Sequence, residues 1–281
     1  MSDKPLTAAG YHPGDSDRAR ALCLHLAVAL GDLMEEVVVV GGLVPSLLIP
    51  QDRLPSGAMT HAGTADLDLG LSLALFDHKR YRTLAEKMRR ADFVPETNNE
   101  GHQIRQKWRH KDHAGIMTDF LVPPQSSGDR GGTIRNLEAD LAAIIIPGLH
   151  LALQERISIR LNDTLPDGVR AEREISVCGP GAFVVLKALA FRERSERKDA
   201  YDLYYLLRYA EGGVADIARR ILSFGTDPSA AKALDILRED FSEPDLVGPA
   251  SVARFLNDRL DDVIQTDASG FVRRLLDALS R

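Results

Sequence analysis

The chain has 281 residues, 44% hydrophobic and 27% charged, with a formal net charge of −6. That composition belongs to a globular protein with a substantial core, and its acidic balance excludes a surface that attracts nucleic acid everywhere, so any RNA or DNA contact has to come from a local basic patch. Cys23 and Cys178 are too few for a disulfide framework and read as reduced, buried, small apolar side chains of an intracellular protein.

Residues 1–16 are polar, with Pro and Gly, and read as a loose arm. An amphipathic helix is predicted over 17–33, with Ser16 as its N-cap. The run ALCLHLAVAL at 21–30 follows Arg18 and Arg20 as a signal peptide would, but Asp15 and Asp17 flank it, His25 interrupts it and no small-residue cleavage site follows. No apolar stretch reaches the roughly 18–20 residues a membrane span needs, so the expected location is cytoplasmic. Val37–Val40 is a short, wholly apolar strand of the kind found inside a sheet covered on both faces. Gly41-Gly42 then turns the chain into a short helix at 43–49, and the Pro- and Gly-rich stretch 50–63 is a loop.

A strand returns at 64–75, followed by a helix over Phe76–Ala91 with Tyr81, Leu84, Met88 and Ala91 at helical spacing. Strands are expected at 102–110 and 115–122, a flexible loop at 123–133, an apolar run at 141–146 and a strand near 150–161. From Pro180 the pattern is helical, with helices at 181–194, 198–211, 214–224, 228–240, 249–265 and 270–280. The expected organisation is an α+β domain over 1–178, built as a mixed sheet with covering helices, and a helical domain over 179–281.

The acidic strand carries the first chemical signal. Residues i and i+2 of a strand share a face. Thr64, Asp66, Asp68, Gly70 and Ser72 therefore project one way, and Leu67, Leu69, Leu71 and Leu73 the other. Two adjacent carboxylates repel each other, and a divalent cation relieves that. The other reading is a polar outer face on an edge strand. Asp119, alone in the apolar run GIMTDFLV, is costly to bury without a partner. Three aspartates on neighbouring strands suit Mg²⁺ or Mn²⁺ and in-line displacement at phosphorus, with Asp119 also taking the proton of the nucleophile. Gly41 and Gly42 let backbone approach a triphosphate closely, or simply make a tight turn. Ser46, one helical turn on, is a candidate to offer its hydroxyl to phosphate.

Together VVVVGG (37–42), GTADLDLGL (63–71), MTDFLV (117–122) and LKALAFRERSERKDAYDLYYLL (186–207) resemble the nucleotidyltransferase superfamily, in particular abortive-infection toxins of the AbiEii/AbiGii type. The turn here is GGLVPS, where many members carry GS. The resemblance implies a nucleotidyltransferase catalytic domain over 1–178 and a helical domain over 179–281 that completes the nucleotide and acceptor site. It implies transfer of a nucleoside monophosphate from an NTP to an acceptor hydroxyl with release of pyrophosphate. The acceptor it points to is RNA, at a tRNA 3′ end, for a toxin with an antitoxin encoded nearby. Two alternatives stay open: transfer to a small, aminoglycoside-like molecule or to a protein, and an NTP-binding module without turnover.

Within this frame Asp66, Asp68 and Asp119 are the metal ligands, and with Lys187 and Asp202 they form the catalytic set. Gly41, Gly42, Ser46, Thr64, Lys187, Arg194 and Lys198 are assigned to the nucleotide. Lys187 lies in an apolar helix face with Phe183, Leu186 and Ala190, where a lysine seeks an anion. Lys198 and Asp202 are spaced i,i+4, which suits either a plain salt bridge or a role in the site. Arg105, Lys107 and Arg109 alternate on one strand, as a groove for RNA or as a solvated strand face. His110 and His113 read as loop histidines, since no further Cys or His completes a metal site.

Overall fold

A computed structural model describes residues 4–12, 14–72, 78–112, 117–165 and 168–280. The chain divides into two compact units. One, the sheet unit, comprises Gly14–Val44 and Thr64–Cys178; the other, the helical unit, gathers Met1–Pro13, Pro45–Gly63 and Gly179–Arg281.

Nine strands in one mixed sheet are described in the sheet unit: β1 (Val37–Val40), β2 (Asp66–Leu71), β3 (Phe93–Thr97), β4 (Gln103–His110), β5 (Met117–Val122), β6 (Ile134–Glu138), β7 (Leu141–Ile145), β8 (Arg156–Thr164) and β9 (Arg170–Cys178). Their order is β3-β4-β5-β2-β1-β9-β8, with β7 beside β5 and β6 beside β7. β1 runs antiparallel to β2 and parallel to β9, and β2 runs parallel to β5. All four valines of β1, a central strand, are buried, so both of its faces are covered. Helix α1 (Asp15–Leu30) packs on β8 and β9, and against α3 (His78–Arg90). The short α4 (Leu149–Gln154) packs on β1, β2 and β9, and Leu149 Cδ1 lies 3.1 Å from where a Cβ of Gly70 would stand. Gly70 is on the carboxylate face of β2, so α4 covers that face at the far end of the strand from Asp66.

Several sequence expectations are corrected here. α1 starts at Asp15 after Gly14, with no side-chain cap, so Ser16 is not its N-cap. Residues 150–154, expected as the start of a strand, are helical: Gly148 in the left-handed region breaks the chain, Leu and Ala favour helix, and strand alternation starts only at Arg156. The strands β3, β6 and β9 had no sequence signal strong enough to announce them; β9 begins RAERE, and its charged side chains pair with those of β8 in a long hairpin. Residues 73–77, at the end of the expected strand and the start of the expected helix, lie outside the described residues.

The helical unit contains α5 (Pro180–Arg194), α6 (Arg197–Tyr209), α7 (Gly213–Leu222), α8 (Pro228–Phe241), α9 (Val247–Asn257) and α10 (Asp262–Leu279). α2 (Val44–Leu48) leads into its loop segment. The expected helix 249–265 is two helices. Asp258 adopts φ 55°, and Asp261 caps α10 by accepting from the amides of Val263 and Ile264. The core stacks α6 on α5 and α9, through Phe183, Tyr201, Tyr205 and Phe255. The loop 50–63 is fastened to α6 from several points. The Ala62 amide donates to Tyr201 Oη at 2.9 Å, and the Tyr205 hydroxyl donates to Met59 O at 3.1 Å. No helix among the described residues is long and apolar enough to cross a membrane.

Candidate functional site

In the sheet unit, β1 ends against the acidic strand. Val40 registers with Asp68, and Gly41 follows at φ +73°. A Cβ on Gly41 would fall 1.8 Å from Asp68 Oδ2, and one on Gly42 would fall 3.0 Å from Thr64 Oγ1. Gly41 is therefore required by contact: only bare backbone can lie this close to the carboxylate, and the residue also needs the left-handed conformation, whereas a side chain on Gly42 would crowd Thr64. Thr64 is buried, and its hydroxyl oxygen accepts from the Asp66 amide at 3.2 Å. The helix after the turn is one 3₁₀ turn and the five residues of α2, too short to carry much of a dipole.

Parallel pairing of β2 with β5 sets Asp68 opposite Asp119, and antiparallel pairing of β5 with β4 sets Asp119 opposite Lys107. Residues in register across a sheet share a face. Asp68, Asp119 and Lys107 thus form one row on one face, with Asp66 two residues along β2 on the same face. Lys107 Nζ is 3.3 Å from Asp119 Oδ2. Among the described residues no three His, Cys, Asp or Glu side chains converge into a ready metal cage; the arrangement is an adjacent pair, Asp68 and Asp119, flanked by Asp66.

The two arginines of β4 have partners of their own. Arg105 donates to Ala139 O at 3.0 Å and Asn136 Oδ1 at 2.9 Å, and Arg109 faces Glu96 at 3.3 Å. His110 is buried, its Nδ1 accepts from the Asp112 amide at 3.2 Å, and its ring packs on His25 and Phe93. His113 lies outside the described residues. Cys23 and Cys178 are both buried and reduced.

The helical unit holds a second polar cluster. Lys187 Nζ on α5 donates to Asp199 Oδ1 at 2.8 Å and to Asp202 Oδ2 at 2.7 Å, both on α6. Arg194 Nε donates to Asp199 Oδ2 at 2.6 Å, and Lys198 bonds Asp202 Oδ1. The Lys198 ammonium also lies over the rings of Tyr11 and Tyr201, at 5.4 and 5.6 Å. Asp202 receives a further bond from His61 Nε2 at 2.9 Å, and Ser46 Oγ lies 2.9 Å from His61 Nδ1. Because Asp202 is an acceptor, His61 must donate from Nε2. Its Nδ1 is then the acceptor, taking the Gly63 amide at 3.2 Å and the Ser46 hydroxyl.

Burial alone would raise the pKa of Asp202, but the Lys187 and Lys198 ammonium groups and the His61 bond outweigh it and hold the carboxyl far below its usual range. Asp199 is lowered in the same way by Lys187 and Arg194 against its burial. Lys187 is raised, since the two aspartates overcome its burial, whereas burial prevails at Lys198, which shares Asp202 with Lys187 and is lowered. Burial, then the Lys198 charge, push His61 down to about 4 against the pull of Asp202. The imidazole is therefore neutral near pH 7.

The sequence resemblance assigns Lys187, Arg194 and Lys198 to the nucleotide, and Ser46 is a candidate for phosphate. In the folded chain both ammonium groups rest on carboxylates, and Ser46 is hydrogen-bonded with His61. His61 itself went unread, since 141 residues separate it from Asp202 and no spacing connects them.

No family model and no curated protein matches the chain. Among solved structures it is similar to an antigenic nucleotidyltransferase-like protein from Paracoccidioides brasiliensis, with TM-score 0.38 and 14% identity over 81% of this chain and 88% of that one. It is also similar to MenT4, a nucleotidyltransferase toxin from Mycobacterium tuberculosis H37Rv, with TM-score 0.41 and 17% identity over 97% of this chain and 87% of that one.

Proposed function

We propose that the chain is a metal-dependent nucleotidyltransferase, moving a nucleoside monophosphate from an NTP to an acceptor hydroxyl and releasing pyrophosphate. The observation that carries this reading is the register of Asp68 with Asp119 on adjacent parallel strands, with Gly41 backbone laid against the Asp68 carboxylate. Two side-by-side carboxylates form a hard-oxygen donor set, and Mg²⁺ ordinarily binds through one or two carboxylates with substrate phosphates and water completing its shell. The residues therefore fit Mg²⁺ or Mn²⁺, held by Asp68 and Asp119 with Asp66 beside them. When bound, the cation would neutralise charge on the phosphates and on the attacking and leaving oxygens.

The chain's own groups have separate tasks in this reading. Gly41 and Gly42 offer side-chain-free backbone next to the carboxylates, where a triphosphate can approach closely. Asp119 accepts the proton of the acceptor hydroxyl as its oxygen bonds to the α-phosphorus, and the bond from that phosphorus to the bridging oxygen of pyrophosphate breaks. Thr64, whose hydroxyl oxygen accepts from the Asp66 amide, fixes the entry of the acidic strand.

For the acceptor we follow the sequence resemblance: RNA, at a tRNA 3′ end, in a toxin whose antitoxin is encoded nearby. A second reading, a small cationic acceptor, is favoured by the net charge of −6 and by the intramolecular partners of Arg105, Lys107 and Arg109. The test incubates purified chain with each labelled NTP, Mg²⁺, and either bulk RNA or hydroxylated cationic small molecules. Pyrophosphate release with label on one acceptor class is expected, reduced at least about a hundredfold in Asp68→Asn and Asp119→Asn. Turnover that survives both substitutions would refute the site. Thermal stabilisation by NTP without any pyrophosphate release would identify a binding module instead.

A further inference from the structure

Lys107 sits where the carboxylate row needs positive charge. Its ammonium is 3.3 Å from Asp119 Oδ2, and the registers of β4, β5 and β2 put Lys107, Asp119 and Asp68 side by side. The other two basic side chains on this face of β4 are engaged away from Asp119, Arg105 on Asn136 and Ala139 and Arg109 on Glu96. The Lys107 side chain is 25% exposed and that of Asp119 12%, so the pair borders solvent and its attraction is partly screened. A lysine carries a compact charge on a flexible four-carbon stem, which lets it leave a carboxylate without disturbing the strand that bears it.

We propose that Lys107 is a built-in counter-ion that competes with a divalent cation for Asp119, keeping metal affinity low in the absence of nucleotide. The inference rests on the carboxylate site proposed above. An ammonium on Asp119 lowers the negative potential of the row, and a cation that binds there must displace it. An arriving triphosphate brings negative charge for the displaced ammonium and phosphate oxygens for the metal, so nucleotide and metal enter together. Lys107 is then a positioning residue that orders binding; it performs no step of the transfer.

The test is Mn²⁺ binding to the full chain without nucleotide, read from the electron paramagnetic resonance signal of free Mn²⁺, with circular dichroism as a control for folding. Lys107→Gln and Lys107→Met, the second retaining most of the aliphatic stem, should each bind Mn²⁺ about fivefold tighter than the wild type, the order expected for removing one partly screened charge pair. Lys107→Arg should bind like the wild type, and Asp119→Asn should lose binding in either background. Equal or weaker binding in both neutral variants, with Asp119→Asn still defective, would overturn the role of Lys107 and leave the carboxylate site standing. Absence of Mn²⁺ binding in every variant would remove the site and this inference together.

Discussion

Two acidic clusters among the described residues are built on opposite principles. In the helical unit Asp199 and Asp202 are fully buried, and Lys187, Lys198, Arg194 and His61 all bond to them, so the group is electrostatically closed. In the sheet unit Asp66 and Asp68 are half-buried and Asp119 lies at the edge of burial, with the Lys107 ammonium against Asp119 and bare glycine backbone against Asp68. In a closed cluster each buried charge is offset by several bonds, so losing a member removes bonds that compensate desolvation. A cluster bordering solvent, rich in acid and lined by glycine, can exchange its counter-charges for a ligand.

Removing a charge from the closed cluster should have the largest effect on stability. Lys187→Met removes the two charge-assisted hydrogen bonds to Asp199 and Asp202, leaving Arg194 on one and Lys198 with His61 on the other, and a loss of about 3–5 kcal/mol is expected in chemical denaturation. A change below about 1 kcal/mol would show that the cluster is not closed, and the contrast with the sheet would fail.

Acid should act on the same cluster through His61. Its folded pKa of about 4 lies below its ordinary value of 6.5. The unfolded chain therefore takes up the proton first, and stability present above pH 6.5 is lost as pH falls towards 4. The shift corresponds to about 3 kcal/mol over that window, and lowered Asp199 and Asp202 continue the loss at more acid pH. Urea midpoints at pH 7 and pH 4.5 measure it, and His61→Gln should flatten the slope between them.

The smallest effect on stability belongs to the open cluster. Gly41→Ala places a methyl group where the Asp68 carboxylate lies, at a positive φ, and about 1–3 kcal/mol of destabilisation is expected. The proposed nucleotidyl transfer should fall by much more than the stability loss explains. Activity equal to wild type in Gly41→Ala would mean that the close approach has no functional purpose.

How far the sequence speaks depends on how local each signal is. The alternation TADLDLGL was enough to put Asp66 and Asp68 on one face and the leucines on the other, and the structure buries Leu67, Leu69 and Leu71 accordingly. The helices α5 to α8 were legible from apolar spacing and Gly or Pro breaks. β9 was not, because its charged residues become strand-like only when β8 lies alongside. Nor was α4, whose Leu-rich stretch reads equally as strand until Gly148 breaks the backbone.

The sequence by itself determined which residues bear charge, which strand face is acidic, and that a double glycine follows an apolar strand, because these depend on neighbours within a few positions. Only the tertiary structure decided that Asp119 registers with Asp68, that Lys107 pairs with Asp119, and that His61 donates to Asp202. Those partnerships join segments far apart in the chain. Strand register and helix packing set them, and both are fixed by the burial of side chains other than the charged ones they bring together.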